Sequence, residues 1–490
     1  MIPSIPRLAD YDVSELYGFL PSECPLEILP DSYYRPWENV VRNLQALILS
    51  KRLRGVIDDL RVLSTDRLRT DAEWRRAYMM LAFMSHAYIW GGDRPLNIVP
   101  QSISIPFVAT CKRLELPVVA TYAGVVLWNY RPLFDEEPID SLENLATLTT
   151  FTGSLDESWF YLISVAIEAR SGPIIPLMLH AIQAARNGDK HTVTECLRSF
   201  AERLDELGSM LVRMYENCDP HIFYHRIRPF LAGSKNMAEA GLPDGVLFDT
   251  GSPSDKYVQY SGGSNAQSSV IQFFDLVLGV EHRPTGTNAN TPPAVQKPSS
   301  NFLLDMRTYM PGPHARFLEQ VSSIANIREF VTRNRHDRGL ATAYDACLAM
   351  LRAFRDKHIQ MVSRYIIVKS RESARSSSPP SASSQTTMPR REKINIATVK
   401  TDSNDNASTR KNLRGTGGTA LIPFLKQARD ETGEPAIDAW ARRLLNNGPG
   451  FVEPGVRLGK VGEKGSGEVQ VLGLAGVWSM DDSDGGICHW

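Results

Sequence analysis

The sequence is short of cysteine and of net charge, and these shortages exclude several classes of protein. Its 490 residues contain six scattered cysteines with no C-x-x-C pair. The chain therefore offers neither a zinc-ribbon motif nor a disulfide framework, and we expect a reducing compartment. The formal net charge is -1 at pH 7, from 54 basic and 55 acidic side chains. That balance gives no electrostatic reason to expect nucleic acid or an anionic membrane as a partner.

A signal peptide and a long apolar run are also missing. The opening stretch, MIPSIPRLADYDVSEL, has prolines and acids where a signal peptide needs a basic end and an apolar core. No uninterrupted apolar run reaches the length of a membrane span. We therefore expect a cytoplasmic protein that binds no membrane.

Strand alternation is scarce, and helical periodicity takes its place. Apolar residues recur every three or four positions in NVVRNLQALILSKRLRGVIDDLRVL, DAEWRRAYMMLAFMSHAYIW and KHTVTECLRSFAERLDELGSMLVRMYENC, which is typical of amphipathic α-helices. There is no internal repeat and no βαβ rhythm, which argues against a dinucleotide-binding fold. The sequence predicts an all-α protein.

Composition changes along the chain predict five segments. The Pro-rich stretch GGDRPLNIVPQSISIPF suggests a small N-terminal helical domain over 1–118, followed by a larger helical domain over 119–369. Residues 370–412 are rich in Ser, Thr and Pro and contain no aromatic residue, so we predict disorder there. A glycine-rich loop and a helix follow at 413–430, and residues 431–490 form an extension of unknown role, with one helix around Trp440.

The stretch FRDKHIQMVSRYI places Arg355 and His358 on an otherwise apolar helix face with Leu351 and Val362. A neutral imidazole on a rigid helix suits the axial position of a haem iron, and a guanidinium suits the haem propionates. The alternative is a core histidine bonded to a carbonyl, with Arg355 in an ordinary ion pair. The helix by itself leaves both interpretations open.

A second stretch, SGGSNAQSSVIQFFDLVLG, opens with glycines that allow a tight turn or a close approach to a ligand. Ser264 and Gln267 have the spacing of a capping box, which predicts a helix start there. A phosphate loop is the competing interpretation, although the G-K-[ST] ending is missing. Asp275 on the following helix is a candidate partner for Arg355.

Two aromatic stretches supply further candidates. Phe160 and Ser164 share a helix face, which suits either a pocket for a flat apolar ligand or plain packing. In IFYHRIRPFLAG, an arginine such as Arg228 beside Phe223 could hold the carboxylate of an aromatic amino acid. Surface arginines near a helix end are the alternative there.

Taken together, the motifs resemble one family. GGSNAQSSVIQFFDLVLGVEH, DMRTYMPGPHARFLEQV, AYDACLAMLRAFRDKHIQMVSRYIIV and GTGGTALIPFLK occur in the order and spacing of the indoleamine 2,3-dioxygenases. LELPVVATYAGVVLWNY and RIRPFLAGSKN are also similar to that family. The resemblance runs from about residue 10 to about residue 430 and depends on several long motifs.

The resemblance implies an all-helical fold with a small N-terminal domain and a larger domain that binds haem b. It implies cleavage of the indole C2–C3 bond of L-tryptophan with O2 to give N-formylkynurenine, the first step of the kynurenine pathway. We expect a cytoplasmic monomer. The alternative is a low-activity, haem-binding paralogue that acts as a sensor or signalling scaffold.

The resemblance also assigns roles to individual residues. His358 matches the proximal haem ligand, and Arg355 and Asp275 match a pair that supports the haem on the same side. Ser164, Phe223 and Arg228 are the candidate catalytic residues, of which Arg228 would hold the substrate carboxylate. The positions implied for substrate binding are Tyr122, Phe160, Phe223, Arg228, Gly263, Ser264 beside the haem edge, and Thr416 in the GTGGT loop that closes over the substrate.

Overall fold

The structure is a computed structural model that describes residues 3–286, 301–376, 421–446, 469–473 and 476–480. It is 62% helix and 4% strand, which confirms the predicted all-α class. The helices of the described residues are α1 Arg35–Arg42, α2 Leu44–Leu49, α3 Leu53–Asp58, α4 Asp71–Trp90, α5 Gln101–Leu114, α6 Leu155–Ser171, α7 Ile174–Arg186, α8 Lys190–Val212, α9 Met214–Asn217, α10 Pro220–Ile222, α11 Arg228–Leu231, α12 Ser269–Leu278, α13 Phe302–Arg307, α14 Gly312–Ile324, α15 Ile327–Arg333, α16 Arg338–Val362, α17 Lys369–Ser376, α18 Leu421–Gly433 and α19 Ala439–Asn446.

The strands in the described part of the chain are short and form three small sheets. Strand β1 pairs in parallel with β4, which pairs antiparallel with β5, while β2 with β3 and β6 with β7 form two-stranded antiparallel ribbons. The strands are β1 Ile98–Val99, β2 Tyr130–Pro132, β3 Leu145–Thr147, β4 Val246–Phe248, β5 Tyr257–Val258, β6 Val469–Gly473 and β7 Gly476–Met480.

Several long helices begin at capping residues that the sequence supplies. The Ser154 hydroxyl accepts a hydrogen bond from the backbone N–H of Glu157 at the start of α6, and the Asp337 carboxylate accepts one from Leu340 at the start of α16. Each cap satisfies an N–H group that has no partner inside the helix. Helix α6 ends at Ser171, just before Pro173, as the prolines in this region predict.

The core is organised around α8 and α16, which pack along each other. Phe200 of α8 is fully buried against Phe274 of α12, with ring centroids 5.2 Å apart. Leu348 and Leu351 of α16 are also fully buried. The later turns of α16 then reach an internal cavity, so the helix that stabilises the core also carries residues 355 and 358 to their positions.

Three segments of the described chain form π-helical turns, at Ala123–Leu127, Phe223–Ile227 and Ser363–Val368. All three contribute side chains to the same internal cavity. A π-turn inserts an extra residue into helical geometry and is common at functional sites. The stretch around Ala123 is buried on all sides, as its apolar sequence predicts, but it is a single turn and no long helix.

The structure differs from the helical pattern in two places. The periodic stretch after Glu38 folds as α1, α2 and α3, and not as one helix, because the chain breaks at Asn43 and turns at Lys51, which has a positive φ of 58°. The Pro-rich stretch that suggested a domain boundary contains the first half of α5, with Pro106 inside the helix. One continuous hydrophobic core extends across residue 118, and the division into 1–118 and 119–369 stays a prediction.

The first residues of the predicted insert are helical. Helix α17 continues to Ser376, so the first residues of the segment 370–412 are helical, as an extension of the helix before them; the rest of the insert lies outside the described residues. Helix α18 continues to Gly433, beyond the predicted limit of 430, and α19 covers Trp440.

Residues Leu155–Arg186 are long and apolar enough to cross a membrane by length and composition. However, 78% of their most apolar window is buried inside the protein. Such burial is typical of a helix in a protein core.

We expect Phe200→Ala to lower the free energy of unfolding by about 3–5 kcal/mol, because the truncation leaves a cavity between α8 and α12. Urea unfolding followed by circular dichroism would measure the change. The control is Glu206→Ala, an exposed position on the same helix, which should stay within about 0.5 kcal/mol of wild type. Equal losses in both variants would contradict the assignment of Phe200 to the core.

Candidate active site

One internal cavity of about 240 Å³ gathers nearly all of the residues that the sequence singled out. Its lining is mainly apolar and comes from α6, α12, α16, α18, the three π-turns and the loop at residues 263–268. Thr416, the remaining candidate, lies outside the described residues. The predicted site residues that line the cavity are Tyr122, Phe160, Ser164, Phe223, Arg228, Gly263, Ser264, Asp275, Arg355 and His358.

The His358 imidazole is half-buried and lies at the wall of this cavity. Burial, assisted by the nearby positive charge of Arg355, lowers its pKa to about 4. Its ring makes no hydrogen bond or ion pair with any other described residue, so the carbonyl-bonded alternative is not what the fold provides. A neutral imidazole with a free lone pair at the wall of an apolar cavity is a suitable ligand for a haem iron.

Arg355, one turn before His358, is held by Asp275 of α12. Its Nη2 donates to both carboxylate oxygens, at 2.8 and 2.7 Å, and both side chains are about nine-tenths buried. Its Nη1 donates to the Thr432 hydroxyl of α18. Burial would raise the pKa of Asp275, but the charges of Arg355 and His282 hold it below its usual value. The predicted Asp275–Arg355 ion pair is therefore present. The Arg355 guanidinium is bound by two protein side chains, Asp275 and Thr432.

The ion pair extends through His282, which the sequence analysis missed. The His282 Nε2 lies 3.0 Å from an Asp275 oxygen, and its Nδ1 lies 2.7 Å from Glu431 of α18. Burial would lower the pKa of His282, but the two carboxylates raise it above 6.5. The His282 side chain, between two carboxylates, links α12 to α18. No local pattern could have indicated this, because residues 282 and 431 are far apart in the sequence.

Aromatic rings occupy the side of the cavity formed by α6 and the π-turn at Phe223. The ring centroids of Phe160 and Phe223 are 4.7 Å apart, and those of Phe223 and Tyr365 are 5.6 Å apart in an edge-to-face arrangement. Such surfaces suit a flat aromatic ligand. The pocket interpretation of Phe160 therefore agrees with the geometry better than plain packing does.

Arg228 is 3% exposed and borders the cavity directly after this π-turn. Burial lowers the pKa of its guanidinium, but an arginine side chain remains a cation at neutral pH because its ordinary pKa lies far above 7. Its Cζ lies 5.8 Å from the centre of the Tyr224 ring. A buried arginine beside aromatic rings can bind a carboxylate on an aromatic molecule.

The loop from Ser261 to Ser268 does not follow the predicted capping box. Ser264 caps only the short 3₁₀ turn Asn265–Gln267, through the N–H of Ala266, and α12 begins four residues later than predicted, after Ser268. Gln267 does not reach back to Ser264. Its Oε1 instead accepts the N–H of Tyr122 at 2.9 Å, and its Nε2 donates to the Gly262 carbonyl at 2.9 Å.

Gly262 is required by a close approach of two backbones. A Cβ there would collide with the carbonyl oxygen of Leu231, and a Cβ at Gly233 would collide with that of Tyr260. The segment after Arg228 and the loop that carries Gly263 can therefore lie side by side only with glycine at both crossing points. The two glycines thus allow these two segments, both of which contribute to the cavity wall, to pack backbone against backbone.

No cluster of three or more His, Cys, Asp or Glu side chains that could hold a metal ion occurs in the described residues. A metal held by protein ligands alone is therefore not supported in that part of the chain. The donor set at the cavity is one imidazole, His358, which fits a metal that brings its other ligands in a macrocycle. The remaining requirement, an apolar space beside the donor, is also met.

Comparison with known proteins agrees with these features. The family model described as indoleamine 2,3-dioxygenase matches residues 7–435. An indoleamine 2,3-dioxygenase of Saccharomyces cerevisiae is 40% identical over 438 residues, covering 87% of this chain and 93% of the yeast protein.

Two more distant relatives widen the range of substrates named. A 6-hydroxytryptophan 2,3-dioxygenase of Fusarium equiseti is 38% identical over 425 residues, covering 87% of this chain and 96% of that protein. Indoleamine 2,3-dioxygenase 2 of Homo sapiens is 30% identical over 437 residues, covering 88% of this chain and 95% of the human protein.

We expect His282→Gln to destabilise the protein in a pH-dependent way. Because the pKa of His282 is raised in the fold, its contribution is fully present below pH 6.5 and is lost as the pH rises through the folded pKa. The free energy of unfolding of wild type should exceed that of the variant by about 1–3 kcal/mol at pH 6. The difference should shrink towards pH 9, as urea titrations at several pH values would show.

The matched control is His336→Gln, at an exposed position. Its difference from wild type should stay near zero at every pH. A difference for His282→Gln that grows with rising pH would show that the imidazole is not held as a cation between Asp275 and Glu431.

Proposed function

The chain belongs to the indoleamine 2,3-dioxygenase family, and from this premise we propose that it is a haem-dependent dioxygenase that cleaves the indole C2–C3 bond of L-tryptophan with O2 to give N-formylkynurenine. Family membership makes it a dioxygenase. The observation that carries the haem dependence is the neutral His358 imidazole, which has no protein partner in the described residues and lies at the wall of an apolar cavity.

Haem b, when bound, supplies the redox chemistry that activates dioxygen. His358 would hold it, because its lone pair is available and its low pKa keeps protons from competing. The Asp275–Arg355 pair would fix the turn of α16 before His358, since Arg355 is bonded to both α12 and α18. These contacts set where the imidazole lies before any ligand arrives.

On the other side of the cavity, protein groups would position the substrate. Arg228 would bind the carboxylate of tryptophan, and Phe160 and Phe223 would hold the indole ring between flat surfaces. The apolar lining would exclude water from the reacting atoms. The residues therefore contribute orientation and a dry environment, which are the protein's part in a cofactor reaction. Ser164 would adjust hydrogen bonding without being essential.

The choice of L-tryptophan is part of this proposal, since one relative bears the name of a 6-hydroxytryptophan dioxygenase. We propose in addition that the protein is a cytoplasmic monomer that binds neither nucleic acid nor a membrane. The five cysteines in the described residues are free thiols, which supports the reducing compartment.

We expect purified wild-type protein to show a Soret band and, once reduced, to convert L-tryptophan and O2 to N-formylkynurenine. His358→Ala should lose both signals, because the cavity then lacks its axial donor. The exposed His180→Ala is the control and should retain both. A Soret band without turnover would favour the sensor or scaffold alternative, and a colourless wild-type protein would contradict haem binding altogether.

We expect Arg228→Ala to raise KM for L-tryptophan about tenfold to hundredfold, with a smaller change in kcat, because the lost contact binds the ground state and the transition state alike. The neighbouring exposed Arg226→Ala should have no such effect. Tryptamine lacks the carboxylate, so its dissociation constant should be the same for wild type and Arg228→Ala. An unchanged KM for tryptophan would place the carboxylate elsewhere.

A further inference from the structure

A buried carboxyl group lies directly behind the cavity wall. Glu168 of α6 is one turn beyond Ser164 and is 1% exposed. Its Oε1 accepts hydrogen bonds from the Tyr122 hydroxyl at 3.0 Å and from the Ser268 hydroxyl at 2.7 Å. Tyr122 and Ser268 both line the cavity, whereas Glu168 does not. One carboxyl oxygen thus connects three segments of the wall.

Ser268 donates its hydroxyl to Glu168 and does not cap helix α12. It occupies the N-cap position of α12, yet its side chain makes no capping hydrogen bond. A serine at this position ordinarily bonds the free N–H groups of the helix. The hydroxyl is directed to Glu168 instead, so the contact is a specific one that competes with helix capping.

No cation among the described residues balances the charge that Glu168 would carry. Its described neighbours that affect its ionisation are the hydroxyls of Ser268 and Tyr122, and Tyr122 is the titratable one. Its Oε2 has no hydrogen-bond partner among the described residues. Burial raises the pKa of Glu168 to about 7, although the two hydroxyl groups lower it in part. A carboxylate in this position would be a buried charge with one oxygen unsatisfied, so the neutral acid is favoured.

We propose that Glu168 is a positioning residue of the active site: in its neutral form it holds the hydroxyls of Tyr122 and Ser268 and thereby keeps the wall on which the substrate lies in one shape. The inference rests on the proposed function. Gln267 acts beside it, since the Gln267 side chain ties the backbone of Tyr122 to that of Gly262. Together they fasten the 261–268 loop to the Tyr122 segment and to α6.

The arrangement also decides which groups can donate protons into the cavity. The Tyr122 and Ser268 hydroxyl protons are directed to Glu168. These two hydroxyls therefore offer lone pairs to the cavity. A substrate that presents hydrogen-bond donors, such as an ammonium or an indole N–H, suits this wall.

Ionisation of Glu168 should disturb the wall, because the unpaired oxygen then requires a donor or water. We therefore expect KM for L-tryptophan to be steady below about pH 6.5 and to rise at least threefold by pH 8.5 in wild type. Glu168→Gln keeps a carbonyl acceptor and cannot ionise, so its KM should not rise. Glu168→Leu has no acceptor, and its KM should be about tenfold higher at every pH while the Soret band is retained.

A second measurement does not need activity. The pKa of Glu168 is higher in the folded than in the unfolded protein, so wild type loses stability as the pH rises from about 4.5 through 7. The melting temperature of Glu168→Gln should therefore exceed that of wild type by a margin that grows from pH 5 to pH 8. A constant margin would overturn the neutral-acid assignment.

The matched control is Glu157→Gln on the same helix. Glu157 is fully buried and its pKa is also raised by burial, but its oxygens bond the backbone at Phe151 and Thr152, away from the cavity. Its substitution should lower the melting temperature without altering the pH profile of KM, which separates lost stability from lost positioning.

The proposal is overturned if wild type and Glu168→Gln share one KM profile, or if KM in Glu168→Leu stays within twofold of wild type. A wild-type protein that makes no product would refute the proposed function. In that case the dissociation constant for L-tryptophan would be measured by calorimetry over the same pH range for wild type and the Glu168 variants. The same comparison would then test the positioning role of Glu168 independently of turnover.

Discussion

The structure depends on keeping one imidazole uncharged and unbonded inside an apolar cavity. Most buried polar groups in proteins are hydrogen-bonded, because an unsatisfied group is costly to bury. His358 is an exception among the described residues, and burial together with the charge of Arg355 keeps it neutral. An imidazole without a hydrogen-bond partner is costly to bury, and under the proposed function coordination to the haem iron would compensate that cost. The cavity is therefore organised around a lone pair that protein atoms leave available.

The turn of α16 before His358 is fixed by charged side chains, and these side chains are paired with one another in a network. Arg355 is paired with Asp275, which is paired with His282, which is paired with Glu431. Burying an isolated ion is far more costly than burying a hydrogen-bonded set. The network joins α12, α16 and α18, and so connects the helix after the GTGGT segment to the turn that precedes His358. A change in the packing of α18 would therefore alter the position of Arg355 and of that turn.

A second part of the cavity wall is built on a different principle, with neutral hydrogen bonds and backbone contact. Glu168 and Gln267 hold Tyr122, Ser268 and the backbone of Gly262. The three π-turns of the described chain place aromatic and apolar side chains along the same cavity. The two parts of the wall thus differ in electrostatic character: an ion-pair network lies next to Arg355 and His358, whereas no cation among the described residues pairs with Glu168.

Much of the fold and of the site could be predicted from the sequence. Helical periodicity indicated the all-α class, and long motifs indicated which side chains belong to the site. Local rules failed where contacts are made by distant residues. The Ser264–Gln267 pair has the spacing of a capping box, but the amide of Gln267 is used by Tyr122, which is 145 residues away.

The sequence by itself determined the helical class, the apolar face interrupted by Arg355 and His358, and the family, because these depend on residue order within short stretches. Only the tertiary structure decided that His358 has no partner in the described residues, that His282 lies between Asp275 and Glu431, and that Glu168 stands behind Tyr122. The reason is physical: hydrogen bonding and ionisation depend on distance and burial in three dimensions, and neither quantity is recorded in the spacing of residues along a chain.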